Sequence, residues 1–363
     1  MATAAYRPTG DFKSDYGSDQ RIFDTRASLI WCIGGIVFLC TVPLISEFSG
    51  VDLKYEMSLM IQIGYLGIAA LGLNILVGFT GQISIGHAAF FGFGAFASPF
   101  LNNKLGIPVF FAIPLAGVVT TAVGMLFGIP AARLKGLYLA IATLAAQFIL
   151  QDFFGRADWF SGGTHGAPAA PFTIFGKAFD SDATYFYVVL AWAVLLYLAA
   201  ANIMRTRDGR ALVAVRDHYL SAEMMGINLT KYRTMSFGLS AFYAGVGGAL
   251  YSHYLGFVSV EGFTILFSIQ FLGMIIIGGL GSIMGTLMGT AFMVVLPEVM
   301  ESLTGLLADT AVERALGLKE NISYLREVSI GMVIILFLVF EPDGLAHRWK
   351  QIKAYWKLYP FSY

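Results

Sequence analysis

Ten apolar runs divide this chain, and they decide what it can fold into. Eight are long enough to cross about 30 Å of hydrocarbon as helices, and two shorter ones are interrupted by glycine. Only 13% of the residues are charged, against about 25% in soluble domains. Because backbone groups in lipid must find hydrogen bonds inside the protein, the runs predict an all-α polytopic membrane protein with about ten transmembrane helices. The long runs cover 27–46, 57–79, 107–129, 136–154, 184–203, 232–257, 263–280 and 325–341, and the short ones cover 83–101 and 282–299.

Lysine and arginine predict the orientation, since loops on the cytoplasmic side carry an excess of both. With ten spans, 16 of the 23 basic residues fall on the side of both chain termini. We therefore expect a polar cytoplasmic tail (1–26), a transmembrane domain (27–345) and a cytoplasmic tail (346–363). The first tail has no apolar core, so the first span would be an uncleaved anchor. The last tail alternates basic and aromatic residues, which predicts a helix in the membrane interface.

Two longer loops would then be external, 155–183 and 300–324. The second contains ADTAVERALGL, which we interpret as a helix. Both loops could be solvated connectors or a docking surface for an external protein, and the sequence leaves both interpretations open.

Residues 205–233, the charged segment from here on, hold six basic and three acidic residues between two apolar runs. Apolar residues recur at helical spacing over ALVAVRDHYLSAEMMG, with Asp208 and Gly209 as a start signal and Gly226 as a stop. The pattern predicts one amphipathic helix of about four turns over 211–226. Such a helix can transmit a push from a soluble motor, or it can simply be an interfacial helix in a positively charged loop.

Two glycine-rich stretches interrupt the apolar runs: the first glycine segment (71–96) and the second glycine segment (278–289). Broken helices at membrane depth need neighbours or a water-filled path to satisfy their backbone, so these segments predict half-helices beside a translocation path. Close helix packing around an ordinary turn is the alternative. The likeness of TGQISIG to LGSIMG also suggests an internal repeat. The glycines assigned to breaks or close packing are Gly78, Gly81, Gly86, Gly281, Gly285 and Gly289.

Few polar side chains interrupt the runs, and no pattern indicates catalysis. The sequence has no phosphate-binding loop, nucleophile–base pair or metal-ligand cluster, and its zero net charge gives no sign of nucleic acid binding. We therefore predict a transport subunit, not an enzyme, with no metal or cofactor of its own; Cys32 and Cys40 are expected to be two buried thiols. Six polar residues are candidates for a solute path, with helix-to-helix hydrogen bonding as the alternative: Asn74, Gln82, Ser84, His87, Gln147 and Gln270.

Several segments within residues 57–345 resemble, in order, the LivM-type permease subunits of branched-chain (hydrophobic) amino acid ABC importers. They are ALGLNILVGFTGQISIGHAAFFGFGAF, GLYLAIATLA, SGGTHG, GRALVAVRDHYLSAEMMGIN, IIGGLGSIMGTLMG and FEPDGL. The resemblance implies a ten-helix, type II-like importer permease. It also implies a second permease of the same family, two cytoplasmic ATPases that bind ATP and Mg, and an external solute-binding protein.

The resemblance further implies that residues 211–226 are the coupling helix, which contacts an ATPase. Ser221 departs from the usual Glu-Ala-Ala motif of importers, and His165 stands where relatives often have Asp or Asn. The residues assigned to ATPase coupling are Arg216, Ala222, Glu223 and Gly226.

The sequence therefore predicts the permease subunit of an ATP-driven importer for branched-chain or related apolar amino acids. It would lie in a bacterial inner membrane, surrounded by lipid, and work by alternating access. Urea, short amides or a sugar are alternative solutes for the same machinery. A stand-alone channel or secondary carrier is the alternative from another class, and a purely structural scaffold fits the broken glycine-rich helices poorly.

Overall fold

A computed structural model describes residues 26–49, 53–134, 136–174, 177–306 and 322–358 of the chain. Each of the ten predicted apolar runs coincides with a helix, and the all-α membrane fold is confirmed. The helices are α1 (Arg26–Ser49), α2 (Lys54–Asn74, continued by a π-helical turn, Ile75–Phe79), α3 (His87–Leu105), α4 (Val109–Ala131), α5 (Leu137–Arg156), α6 (Asp158–Ser161), α7 (Asp182–Arg205), α8 (Arg207–Met224), α9 (Leu229–Leu255), α10 (Ile265–Gly278), α11 (Ile283–Leu306), α12 (Ile322–Phe340) and α13 (Gly344–Leu358).

Within the described residues, five helices are long and apolar enough to cross a membrane: α2 with its π turn, α4, α5, α7 and α11. Helices α12 and α13, bent by 47° at their junction, would make a sixth span if counted as one. The described apolar parts of α1 and α10 are shorter. Helix α3 is buried along most of its length, and α9 buries serines and a histidine inside the bundle. Such helices touch protein more than lipid, so they need less apolar character.

Helix α9 lies at the centre of the bundle and packs against α2, α3 and α4. Small residues allow this close approach. A Cβ atom on Gly94 of α3 would collide with the Gly245 carbonyl of α9, and one on Gly248 would collide with the Phe91 carbonyl. Aromatic rings fill the space beside this contact; the Phe91 and Phe267 rings, for example, meet edge to face at 5.5 Å. The core therefore consists of close backbone contacts between α3 and α9, with aromatic side chains packed beside them.

Contacts at the helix ends and in the connecting segments define two opposite faces of the bundle. On the basic face, where the charged segment lies, Arg233 donates to the Ala132 carbonyl at 3.1 Å, and the Tyr232 hydroxyl donates to Asp208 at 3.0 Å. On the opposite face, strand β1 (Ala167–Pro168) pairs antiparallel with β4 (Phe257–Val258). Strands β2 (Thr173–Ile174) and β3 (Lys177–Ala178) form a short hairpin in the same loop as β1. The predicted loop 155–183 is therefore folded.

The two chain ends are described only in part. Residues 1–25 of the predicted tail and the predicted ADTAVERALGL helix lie outside the described residues. Helix α13 covers most of the predicted interfacial tail, and its Arg348 forms an ion pair with Glu341 at 2.5 Å. That α13 lies in the membrane interface stays a prediction. Cys32 and Cys40, both in α1, are free and half-buried, so the prediction of two buried thiols is wrong as to their burial.

Candidate functional site

The charged segment folds into a kinked helix, α8. Thr206, rather than the predicted Asp208, caps it: the Thr206 hydroxyl accepts a hydrogen bond from the Gly209 amide at 3.3 Å. His218 has non-helical backbone angles (φ −156°, ψ 86°), and its Nδ1 lies 3.4 Å from the Ser221 amide nitrogen. The prediction of one continuous helix over 211–226 is therefore wrong. Helix α8 consists of two shorter helices. The second begins after His218, whose Nδ1 lies near the Ser221 amide in its first turn.

The end of α8 follows the predicted glycine stop. Gly226 has a φ of +83°, a conformation that glycine adopts without steric cost. Its amide donates to the Glu223 carbonyl at 2.9 Å, and the Ile227 amide donates to the Ala222 carbonyl at 3.0 Å. This pattern satisfies carbonyls that would otherwise be unpaired at the helix end.

The two halves of α8 differ in the surface they expose. In the first half, Ala211, Leu212 and Val215 are buried against the bundle. In the second half Ala222 is buried, while large apolar side chains face away from the protein. The exposed residues of the second half include Leu220 (54%), Met224 (90%) and Met225 (84%), with Glu223 between them.

Arg216 points towards the bundle, not away from it. Its Nη1 donates to the Gly78 carbonyl at 2.7 Å, at the end of α2. Asp217 holds the same guanidinium through Nε and Nη2, both at 2.8 Å. A Cβ atom on Gly281 would lie only 3.1 Å from Arg216 Nη1. Arg216, which the sequence assigned to ATPase coupling, therefore lies where both glycine segments meet the charged segment.

The two glycine segments are also joined directly. The Asn74 amide oxygen accepts a hydrogen bond from the Gly281 amide at 2.9 Å. The Asn74 amide nitrogen donates to the Ser282 carbonyl at 2.9 Å and to the Thr286 hydroxyl at 2.6 Å. A Cβ atom on Gly78 would collide with Asn74 and with the Gly281 backbone. Asn74 is fully buried and bridges α2 to the turn between α10 and α11.

A non-helical stretch, residues 80–86, connects α2 to α3 and is the first break from here on. Its Gln82, Ser84 and Gly86 are buried. Backbone groups buried in this way need partners from neighbouring helices. The Ile85 amide donates to the Thr143 hydroxyl at 3.0 Å, and a Cβ atom on Gly86 would collide with the Thr143 carbonyl. The second break, residues 279–282, joins α10 to α11, and Gly281 in it has a φ of +74°.

Side chains of α5 and α10 cap the start of α3. The Ala88 amide donates to the Ser268 hydroxyl at 2.9 Å, and the Ala89 amide donates to Gln147 Oε1 at 2.9 Å. Gln147 Nε2 donates in turn to the Phe263 carbonyl at 2.8 Å. With 19 residues, α3 is about 28 Å long, close to a full span, whereas the 14 residues of α10 give about 21 Å. Of these two helices only α10 is short by comparison with a full span, so by its length α3 is not the half-helix predicted for the first glycine segment.

The other predicted path residues differ in their surroundings. Gln82 donates to the Ser236 hydroxyl at 2.6 Å, and His87 Nε2 lies 2.8 Å from the Ala69 carbonyl oxygen. Ser84 is buried, and its hydroxyl has no hydrogen-bond partner among the described residues. Gln270 is half-buried. That these six residues line a solute path stays a prediction, and the contacts of Asn74, Gln82 and Gln147 are hydrogen bonds within the protein that join helices and the breaks between them.

The helices of the second glycine segment approach each other most closely at two glycines. A Cβ atom on Gly285 would collide with the Gly278 carbonyl, and one on Gly289 would collide with the Met274 carbonyl. Gly285 and Gly289 thus let α11 pack backbone to backbone against α10. Among the described residues, no group of three or more His, Cys, Asp or Glu could hold a metal ion.

Comparison with known proteins gives one family. A family model described as "Branched-chain amino acid transport system / permease component" matches residues 56–338. The chain belongs to this permease family. The match contains both glycine segments and the whole charged segment, so the geometry above lies within the permease domain. It excludes the N-terminal tail and α13.

Relatives of this permease include LivM proteins from bacteria and an archaeon. The high-affinity branched-chain amino acid transport system permease protein LivM of Salmonella typhimurium is 30% identical over 302 residues, 77% of this chain and 67% of the relative. A probable LivM of Methanocaldococcus jannaschii is 26% identical and covers 84% of this chain and 92% of the relative. The guanosine ABC transporter permease protein NupQ of Bacillus subtilis is 27% identical, covering 56% and 70%. No solved structure gives a significant match.

Proposed function

We propose that this permease is the membrane subunit of an ATP-driven importer for branched-chain or related apolar amino acids. The LivM relatives support this solute class, since they match more of the chain than the guanosine permease does. The buried polar side chains of the described residues are Asn, Gln, Ser, Thr and His, so a path between these helices would place no acidic or basic Asp, Glu, Lys or Arg side chain in the way of a zwitterionic solute. Selectivity would lie mainly in an external solute-binding protein.

The observation that carries the ATP-driven mechanism is the exposed second half of α8. Met224 and Met225 are almost fully exposed beside Glu223, on a face that holds most of the basic residues. Methionine side chains repack easily and suit a protein interface. A separate ATPase would bind this surface and hold ATP and Mg, while a second permease of the same family binds a second ATPase.

The mechanism would be alternating access. Closure of the two ATPases displaces α8, and the two breaks beside it change the access to the solute path. Orientation follows from the distribution of lysine and arginine: the basic face and both termini are in the cytoplasm, and the folded loop 155–183 faces outwards. We expect the permease to lie in the inner membrane of a bacterium.

Co-purification in mild detergent followed by reconstitution tests the proposal. We expect mass spectrometry to find a second permease and ATPases, and the reconstituted complex to take up leucine, isoleucine or valine only with ATP and the binding protein. Replacing Met225 by a photo-crosslinking residue should join this chain to the ATPase. Crosslinking to lipid alone would contradict the assignment of that surface.

Uptake of a nucleoside, a sugar or urea instead of amino acids would favour the alternative solutes; the guanosine permease relative gives the nucleoside its support. Solute flux through the chain alone, without ATPases, would instead indicate a channel or secondary carrier. The solute bound by the cognate binding protein decides between amino acids and the alternative solutes. Omission of ATP and the ATPases tests for a channel or secondary carrier.

A further inference from the structure

Arg216 of α8 lies against both breaks and against the end of α2. Its Nη1 donates to the Gly78 carbonyl at 2.7 Å, and the same nitrogen would lie 3.1 Å from a Cβ atom on Gly281. A Cβ atom on Gly81 would lie 3.0 Å from Arg216 Cγ. The glycines therefore form a niche in which the arginine side chain lies against bare backbone.

The niche suits a cation. Gly78 lies in the last turn of α2, where carbonyl groups lack helical partners and the helix dipole is negative. Asp217 contacts the other two guanidinium nitrogens at 2.8 Å and so sets the orientation of the planar group. A lysine has a single nitrogen and cannot occupy these positions at once. The geometry thus selects arginine rather than positive charge alone.

The contact reaches the second break through Asn74. Gly78 packs against the Gly281 backbone, and Asn74 accepts from the Gly281 amide while donating to Ser282 and Thr286. One hydrogen bond from Arg216 therefore connects α8 to α2, and Asn74 connects α2 to the start of α11. A movement of α8 that pulls Arg216 acts on both breaks together.

The kink separates this contact from the exposed surface. Arg216 is in the first half of α8, two residues before the non-helical His218, and the exposed methionines are in the second half. We infer that Arg216 is a positioning residue that links α8 mechanically to the two breaks, instead of an ATPase contact. The inference rests on the proposed function for its role in transport, although the link itself is a property of this chain.

Hydrogen exchange on the full-length chain in lipid nanodiscs tests the link without any partner. In Arg216→Gln we expect at least tenfold faster exchange in peptides covering both residues 76–83 and 279–286. Arg210→Gln is the matched control, because Arg210 is on the same helix and donates to the Arg205 carbonyl. Faster exchange in neither region, or in 76–83 alone, would overturn the inference.

Uptake per ATP hydrolysed tests the role of the link in the reconstituted complex. We expect Arg216→Gln to lower this ratio at least tenfold while the complex still assembles, Arg216→Lys to restore it only in part, and Arg210→Gln to keep it. Equal falls in uptake and hydrolysis would mean a purely structural role and would overturn the inference. Absence of ATP-dependent uptake by the wild-type complex would refute the proposed function instead, and the exchange result would still decide whether the link exists.

Discussion

Replacement of Asn74 by alanine should destabilise the permease more than loss of any single hydrogen bond would. Asn74 is fully buried and makes three hydrogen bonds, all to the turn and helix that follow α10. After the change, the Gly281 amide loses its acceptor. The Ser282 carbonyl keeps a hydrogen bond from the Thr286 hydroxyl at 3.0 Å, so that group is not left alone.

The size of the effect follows from these contacts. A buried amide left without a partner costs about 1–3 kcal/mol. Each of the two bonds donated by Asn74 contributes about 0.6 kcal/mol, the average for side-chain hydrogen bonds between membrane helices. We therefore expect the free energy of unfolding to fall by about 2–4 kcal/mol. Thr120→Ala is the control, because the buried Thr120 hydroxyl bonds only the Ala116 carbonyl of its own helix at 2.7 Å. It should cost about 1 kcal/mol or less.

Titration of the purified chain in bicelles with sodium dodecyl sulfate, followed by tryptophan fluorescence, measures both values. The wild type and both variants should show the same transition slope, so that midpoints can be compared. If Asn74→Ala destabilises the chain no more than Thr120→Ala does, Asn74 does not bridge the two glycine segments. The Gly281 amide would then not depend on Asn74 as its acceptor.

Two further changes probe the basic face and the first break. Glu223→Lys should reduce ATP-driven uptake at least tenfold without lowering membrane insertion, because it reverses a charge inside the exposed surface of α8. Glu56→Lys is the control, since it reverses an exposed charge outside the charged segment, and it should leave uptake unchanged. Gly86→Leu should abolish transport and lower the yield of folded protein, since even its Cβ atom would collide with the Thr143 carbonyl. Gly155→Leu is the control and should fold normally, because no atom lies within 4 Å of a Cβ added at this helical glycine. Equal yields of folded protein for both leucine variants would show that the first break is not tightly packed.

The sequence predicted the helices well because lipid imposes one strong rule. Every apolar run had to become a helix, so ten runs matched ten helices even where glycine interrupted them. The glycine stop of α8 was equally local: Gly226 adopts a backbone conformation that few other residues tolerate.

The sequence did not predict the kink in α8 or the contacts of Arg216 and Asn74. The kink at His218 contains no glycine or proline, so no residue type marked it. Arg216 was assigned to ATPase coupling because it lies in the charged segment, whereas its guanidinium donates to the Gly78 carbonyl, 138 residues away in sequence. Likewise, Asn74 could have faced a solute or another helix, and only the position of Gly281 distinguishes these two roles.

The first break is made before the residues that complete its hydrogen bonds. Its Ile85 amide needs Thr143, its Gln82 side chain needs Ser236, and the start of α3 needs Ser268. A ribosome that has made α2 and α3 has supplied none of these partners. Ser268 follows Leu105, the last residue of α3, by 163 residues. The backbone groups of residues 80–89 must therefore be hydrated or otherwise paired until that later part of the chain is made.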